Sequence, residues 1–306
     1  MFINSTSNAT SLQQNCVETI HLYRNVNKSW RSGIISGYFI LSGILGILIN
    51  SLLVFLIVRT KQNRNQSMKI LMYGSIIGIM NGCISCIHCL QLLIDMSCFE
   101  FISTNILKLF SVYFSGYFTL IVVLDRYIRV KYCNEYEQVF TPNKLRILIG
   151  FVLFLTISFS IATPIVNYNY GSGSAIPFTF SFNLMIFVLG IVLYILSVKK
   201  LSSHAENHRD ISASNRNIVK FIKIHFFIFI LGHGFIIFVH QGLLRFLSLF
   251  YKHIIFQYRE EIACFLITNY NLPTLIGIIN AVVLMIVNNK IRNVIKSRIS
   301  SREEGS

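Results

Sequence analysis

Long apolar stretches alternate with short polar segments along almost the whole chain. Seven stretches stand out, at 33–58, 70–94, 105–128, 147–166, 178–198, 219–243 and 264–287. Each is long enough, as a helix rising 1.5 Å per residue, to cross roughly 30 Å of hydrocarbon. The pattern predicts an all-α membrane protein, a seven-transmembrane helix bundle occupying 33–287. Residues 1–32 are polar and contain no signal-peptide core, so the first stretch is expected to serve as its own insertion signal. After the last stretch, Ile291, Val294, Ile295 and Ile299 fall on one helical face, with Lys290, Arg292, Lys296 and Arg298 around them. That pattern predicts a short helix lying in the membrane interface within 288–306.

Composition agrees: 54% of the 306 residues are hydrophobic and 13% charged, against about 25% charged in soluble domains. The net charge of +15 invites a nucleic-acid reading, but its distribution excludes one. Twenty of the 27 basic residues lie after stretch seven, between stretches one and two, three and four, and five and six, or, as Arg126, Lys220 and Lys223 do, at the adjoining ends of stretches three and six. All these segments share one side of the membrane. The positive-inside rule makes that side cytoplasmic, with the N-terminus outside and the C-terminus inside, as in a plasma-membrane protein. The basic face then meets anionic membrane lipid, and no basic soluble module remains for nucleic acid. Asn4, Asn8 and Asn27 head N-x-S/T sequons in the outer tail and are expected to be glycosylated. Asn65-Gln66-Ser67 matches too, but on the inner side, where glycosylation does not occur.

Asp125-Arg126-Tyr127 ends the third stretch. A carboxylate and a guanidinium side by side are costly within a bilayer and tolerable at its edge. Lys108 lies 18 residues earlier, five turns toward the outside and on about the same face as Arg126. It reads either as an anchor for an anionic ligand group or as a side chain snorkelling outward to Asp95 or Glu100. His233 and His240 share nearly one face of stretch six. They read as hydrogen-bonded packing residues or as pocket-lining proton sensors. At ~10 Å apart by helical rise, they cannot share one metal ion.

Cys83, Cys86 and Cys89 lie within stretch two and read as small apolar residues. Cys133 is expected to stay reduced on the inner side. Cys16, Cys98 and Cys264 are on or near the outside, where Cys16 can bridge to Cys98 or to Cys264. Gly171-Ser172-Gly173-Ser174 reads as a flexible spacer, not a protease centre. No phosphate-binding loop, zinc motif or carboxylate pair appears, so neither an enzyme nor a cofactor is expected.

Seven stretches, an outer N-terminus and Asp-Arg-Tyr ending the third resemble a rhodopsin-like (class A) G-protein-coupled receptor over the whole chain. Asn50 resembles the family's span-one Asn, and Ser115 its small polar residue on span three. Tyr194 resembles the Tyr that reaches the span-three Arg in the active state. Asn280-Ala281-Val282-Val283-Leu284 resembles the family's N-P-x-x-Y, and Ile291 follows where the family begins its interfacial helix. The departures are many. The place of the sodium-binding span-two Asp falls near Gly78, with Asn81 one turn on. Phe154 stands near the span-four Trp. Gly232-His233-Gly234-Phe235 replaces Cys-Trp-x-Pro, and span five lacks its Pro. Gly232, Gly234 and Pro273 are left to supply bending. The family's staple from span three to the following outer loop cannot form, because residues 167–177 contain no Cys. Thr274 stands where opsins carry the retinal Lys, so no retinal is expected.

The resemblance implies a receptor passing an extracellular signal to a heterotrimeric G protein through Asp125, Arg126, Tyr127, Tyr194 and Asn280. Lys108, His233, His240 and Thr274 would line its ligand pocket. Lys108 argues against an amine ligand and for one with an anionic group. The acid that would lock Arg126 from span six is replaced near Asn215. With the span-two Asp also missing, the resemblance implies appreciable basal activity. The eroded motifs also allow a non-signalling decoy or a partner of another receptor, and Gly33-x-x-x-Gly37 allows a dimer. A transporter fits less well, since no carboxylate lies deep in a stretch and no halves repeat.

Overall fold

A computed structural model describes residues 30–93, 97–132, 135–170, 176–207, 226, 227, 230, 234, 268 and 271–303. The outer tail with Asn4, Asn8, Cys16 and Asn27 lies outside the described residues. So do Asp95, the 171–175 loop, Asn215, Cys264, and most of stretch six with His233 and His240. The described chain is helical, with no strand in it. The first five stretches become α1 (Trp30–Arg59), α2 (Gln66–Leu93), α3 (Cys98–Lys131), α4 (Pro142–Tyr170) and α5 (Ile176–Asn207). The seventh gives α6 (Leu272–Val287), and α7 (Asn289–Glu303) follows. Five helices are long and apolar enough to cross a membrane, and α6 with α7, bent by 86°, makes a sixth candidate. The described residues therefore form an all-α, multi-pass membrane protein.

The helices overrun the stretches because their ends are set by polar groups. Helix α3 starts seven residues before the 105 expected, at a capping box. There Ser97 accepts from the backbone N–H of Glu100, and the Glu100 carboxylate accepts from the N–H of Ser97. Helix α2 starts at Gln66 because Asn65 accepts from the N–H of Ser67 at 3.0 Å. A buried Pro164 sits inside α4. Pro273 occupies the first turn of α6, where its missing N–H has no helical partner to lose.

Helix α1 packs most closely on α2, and α6 covers both. Small residues make this possible. A Cβ on Gly82 would stand 2.7 Å from the Gly43 carbonyl oxygen, and one on Gly78 2.6 Å from the Asn50 amide. Helix α3 is central, touching α2, α4 and α5. Tyr117 on α3, Phe159 on α4 and Phe182 on α5 meet there ring to ring, the last two with centroids 4.5 Å apart. Leu41, Ile147 and Phe154 are more than 60% exposed. In a bilayer such side chains face lipid, and exposure carries no penalty.

The corner between α6 and α7 is built on Asn288. Its side-chain oxygen Oδ1 accepts from the N–H groups of Lys290 and Ile291, capping α7. Its amide nitrogen donates to Gln62 Oε1 at 2.9 Å, and Gln62 returns a bond at 3.2 Å. The α7 face anticipated from sequence turns inward at its start: Ile291 is fully buried, and Val294 and Ile295 pack on the core.

Candidate functional site

The basic end of the bundle is organised around Asp125, which is fully buried. Ser67 Oγ, from the first turn of α2, donates to its carboxylate at 2.8 Å. The Tyr136 hydroxyl donates to the same group from the one-turn helix Tyr136–Val139. Arg129 lies over the Tyr136 ring, 5.4 Å from its centroid. Gln66 Nε2 donates to the Phe140 carbonyl and ties the same turn to α2. Burial, and then the charge of Asp125, pushes the Tyr136 hydroxyl well above the usual phenol range. Arg126 Nε lies 3.6 Å from Asp125, and its side chain keeps 13% exposure. Thus Asp125 positions α3 against α2 and the following turn, while Arg126 stays partly open at the bundle's end.

Tyr194 does not lie flat in lipid. Its ring stacks on Phe226, with centroids 3.4 Å apart and an interplanar angle of 3°. This pairs α5 with one of the few described residues of stretch six. Further along, Gly234 leaves room for Phe187: a Cβ there would stand 3.1 Å from its ring.

A polar seam crosses the bundle interior. The Asn271 amide donates to Ser42 on α1. Ser85 on α2 donates to Asn271 at 2.6 Å, and its oxygen lies 2.8 Å from the Thr274 hydroxyl. Thr274 donates to the Asn81 carbonyl at 3.2 Å. The Asn81 side chain donates to Ser115 and accepts from Ser111, both at 2.7 Å, on α3. Every link is between buried or half-buried groups, which hydrocarbon demands. Below the seam lies a cavity of about 70 Å³ lined by Asn50, Ser75, Asn81, Ser115, Thr119 and Asn280 among others, and no carboxylate lines it. The Asn280 side-chain oxygen is buried at this cavity without a hydrogen-bond partner.

At the other end of the seam, Lys108 on α3 and His88 on α2 are 3% and 2% exposed. Phe39 meets the His88 ring edge-on at 4.5 Å. Lys108 Nζ lies 3.4 Å from Asn105 Oδ1, a long contact. The ammonium does not snorkel to the surface, and the exposed Glu100 carboxylate is engaged by Ser97.

The structure therefore separates the sequence candidates into groups. Asp125, Arg126 and Tyr127 share the basic end of α3, while Tyr194 faces Phe226. Thr274 lies in the seam, hydrogen-bonded to α2. Asn50 packs on Gly78, donating to the Gly46 carbonyl at 2.8 Å. It is Asn81, one turn beyond the counted position, that meets Ser115. Cys98 is in a disulfide whose partner lies outside the described residues. Cys83, Cys86 and Cys89 are free, but only Cys89 is buried; Cys83 is exposed. Among the described residues no group of His, Cys, Asp and Glu is placed to hold a metal.

Ser67, Tyr136, His88, Asn271 and Phe226 were not singled out from sequence. For His88 the signal was present, as an ionisable residue within an apolar stretch. No protein-family model matches the chain, and no curated protein matches it. What fold and site define is a multi-pass helical membrane protein with a buried polar seam and a positioned arginine at its basic end.

Proposed function

We propose that the protein is a divergent rhodopsin-like receptor of the plasma membrane, with its N-terminus outside. In this reading, residues 219–243 supply one further span and complete seven. An extracellular ligand shifts the bundle from a closed to an open state, by as much as it prefers the open one. A heterotrimeric G protein then meets Arg126.

The observation that carries this reading is the setting of Arg126. Its neighbour Asp125 is held by Ser67 and Tyr136, so α3 is fixed, while the Arg126 side chain as a whole keeps 13% exposure. Tyr127 sits beside it. Tyr194 is stacked away on Phe226, the resting arrangement for a side chain that must swing to reach Arg126. Asn280 borders the cavity on the route between the seam and the basic end.

Basal activity belongs to the same proposal. A cavity lined by amides and hydroxyls, without a carboxylate, holds a cation poorly, so a cation cannot brace the closed state. Ligand-free second-messenger output in cells tests this, comparing wild type with Arg126→Ala across G-protein subtypes. Output above background that falls on substitution is expected. Equal output from both proteins would refute basal signalling through Arg126.

A further inference from the structure

We propose that Met68 is a modification site: oxidation of its thioether to the sulfoxide tightens the corner that aims α7. The sulfur lies 3.8 Å from the side-chain nitrogen of Asn288, which donates toward it. That nitrogen carries two N–H groups. One goes to Gln62 Oε1 at 2.9 Å, and the other is left with the sulfur. A thioether is a weak acceptor, and 3.8 Å is well beyond the ~2.9 Å of an N–H···O bond. The donor is aimed but poorly matched. An oxygen atom on the sulfur enters that gap and gives the amide a strong acceptor.

The step balances with hydrogen peroxide. The sulfur lone pair attacks one peroxide oxygen, the O–O bond breaks and an S–O bond forms. The proton of the transferred hydroxyl passes to the leaving oxygen, which departs as water. The sulfur gives up two electrons and the peroxide takes them. A sulfoxide ordinarily disrupts apolar packing, because it brings in a polar group without a partner. Beside Asn288 the partner is already in place.

Placement makes Met68 reachable. It lies in the first turn of α2, at the basic end of the bundle, half-buried against the core. Lys61, Arg64 and Asn65, just before it, are exposed. Water, and a peroxide dissolved in it, comes to that end. Met185 is more open, at 57% exposure, but it lies within the apolar run of α5, where exposed side chains face lipid. The residue before Met68 is Ser67, which holds Asp125 at 2.8 Å. One turn of α2 thus joins the Arg126 end of α3 to the start of α7.

The test uses the full chain in nanodiscs, with hydrogen peroxide as the probe. Peptide mass spectrometry follows the gain of one oxygen at each methionine, and amide exchange follows the start of α7. Met68 is expected to oxidise before Met185, in the reverse order of their exposure. Exchange over 289–294 is then expected to slow about fivefold, the effect of one added neutral hydrogen bond. Methionine sulfoxide reductases should restore the original rate. Met68→Gln puts an amide oxygen near the same point and should slow exchange without oxidant. Asn288→Asp removes the donor but keeps the oxygen that caps α7. Neither it nor Met68→Leu should slow when treated.

Oxidation of Met185 with Met68 untouched would overturn the proposal. So would exchange over 289–294 that is unchanged or faster once Met68 carries its oxygen, or equal slowing in Met68→Leu and wild type. Should either variant not fold, the wild-type time course and its reversal by the reductases decide alone. The readout needs neither ligand nor G protein, so it stands or falls apart from the receptor reading.

Discussion

Two flanks of the bundle are held in different ways. On one, α1, α2 and α6 meet backbone to backbone, with Gly82 against Gly43, and are cross-linked by Asn271, Ser85 and Thr274. On the other, α5 meets residues 226 and 234 through the rings of Tyr194 and Phe187. Lipid tails are as apolar as Leu, so burying apolar surface gives helices no drive to associate. Close packing and hydrogen bonds must hold them, and the first flank has both. Stacked rings slide past one another at little cost. The contrast assigns rigidity to the α1–α2–α6 flank and motion to α5 and its neighbour.

The largest expected effect strikes the rigid flank. Gly82→Ala places a methyl against the Gly43 carbonyl, a backbone atom that cannot step aside. Overpacking of this kind costs about 3 kcal/mol or more, read as a lower unfolding temperature in nanodiscs. Gly37→Ala meets nothing within 4 Å and should leave it unchanged. If both variants behave alike, the close-packing side of the comparison fails.

Next comes the anchor at the basic end. Tyr136→Phe removes a hydrogen bond to an ionised carboxylate, worth about 2 kcal/mol, and faster amide exchange across 135–140 would report it. The same variant carries a pH signature. The folded state holds the phenol proton more tightly than the unfolded chain does. Its contribution is therefore complete below the unfolded pKa of about 10 and is lost as pH rises beyond it. Wild type should lose more stability than Tyr136→Phe between neutral and strongly alkaline pH.

Ser85→Ala opens the seam at its branch point and should cost about 1 kcal/mol, the scale of interhelical hydrogen bonds in membranes. Phe226→Leu should be mildest for stability, about 0.5 kcal/mol for a lost ring pair. Under the receptor proposal it should nonetheless raise ligand-free output, because it frees Tyr194. A Phe226→Leu protein less stable than Ser85→Ala would invert the comparison.

Helix number and placement over the described residues were legible because hydrocarbon thickness sets a length that apolar runs must match. Their ends were not, since Ser97, Glu100 and Asn65 extend α3 and α2 by capping rather than by hydropathy. Lys108 was visible as a charge out of place. The burial of His88 depends on the rotation of α2 about its axis, which the Gly78 and Gly82 contacts with α1 fix. The same rotation carried Asn81 to Ser115, where counting from Asn50 had pointed to Gly78. The partners of Asp125 were hidden for a different reason. Ser67 lies 58 residues away from it, and only the three-dimensional return of the chain brings them together.

The Asn288 corner has a mechanical consequence. Helix α7 leaves α6 at 86°, so turning α6 about its own axis sweeps α7 like the hand of a dial. Over its 15 residues the arm is ~22 Å long, and a twist of about 10° displaces its tip by ~4 Å. The paired amides of Gln62 and Asn288 are the detent on that dial. Because α6 belongs to the rigid flank, they hold that dial at one setting, and the direction of α7 is fixed by two side chains 226 residues apart.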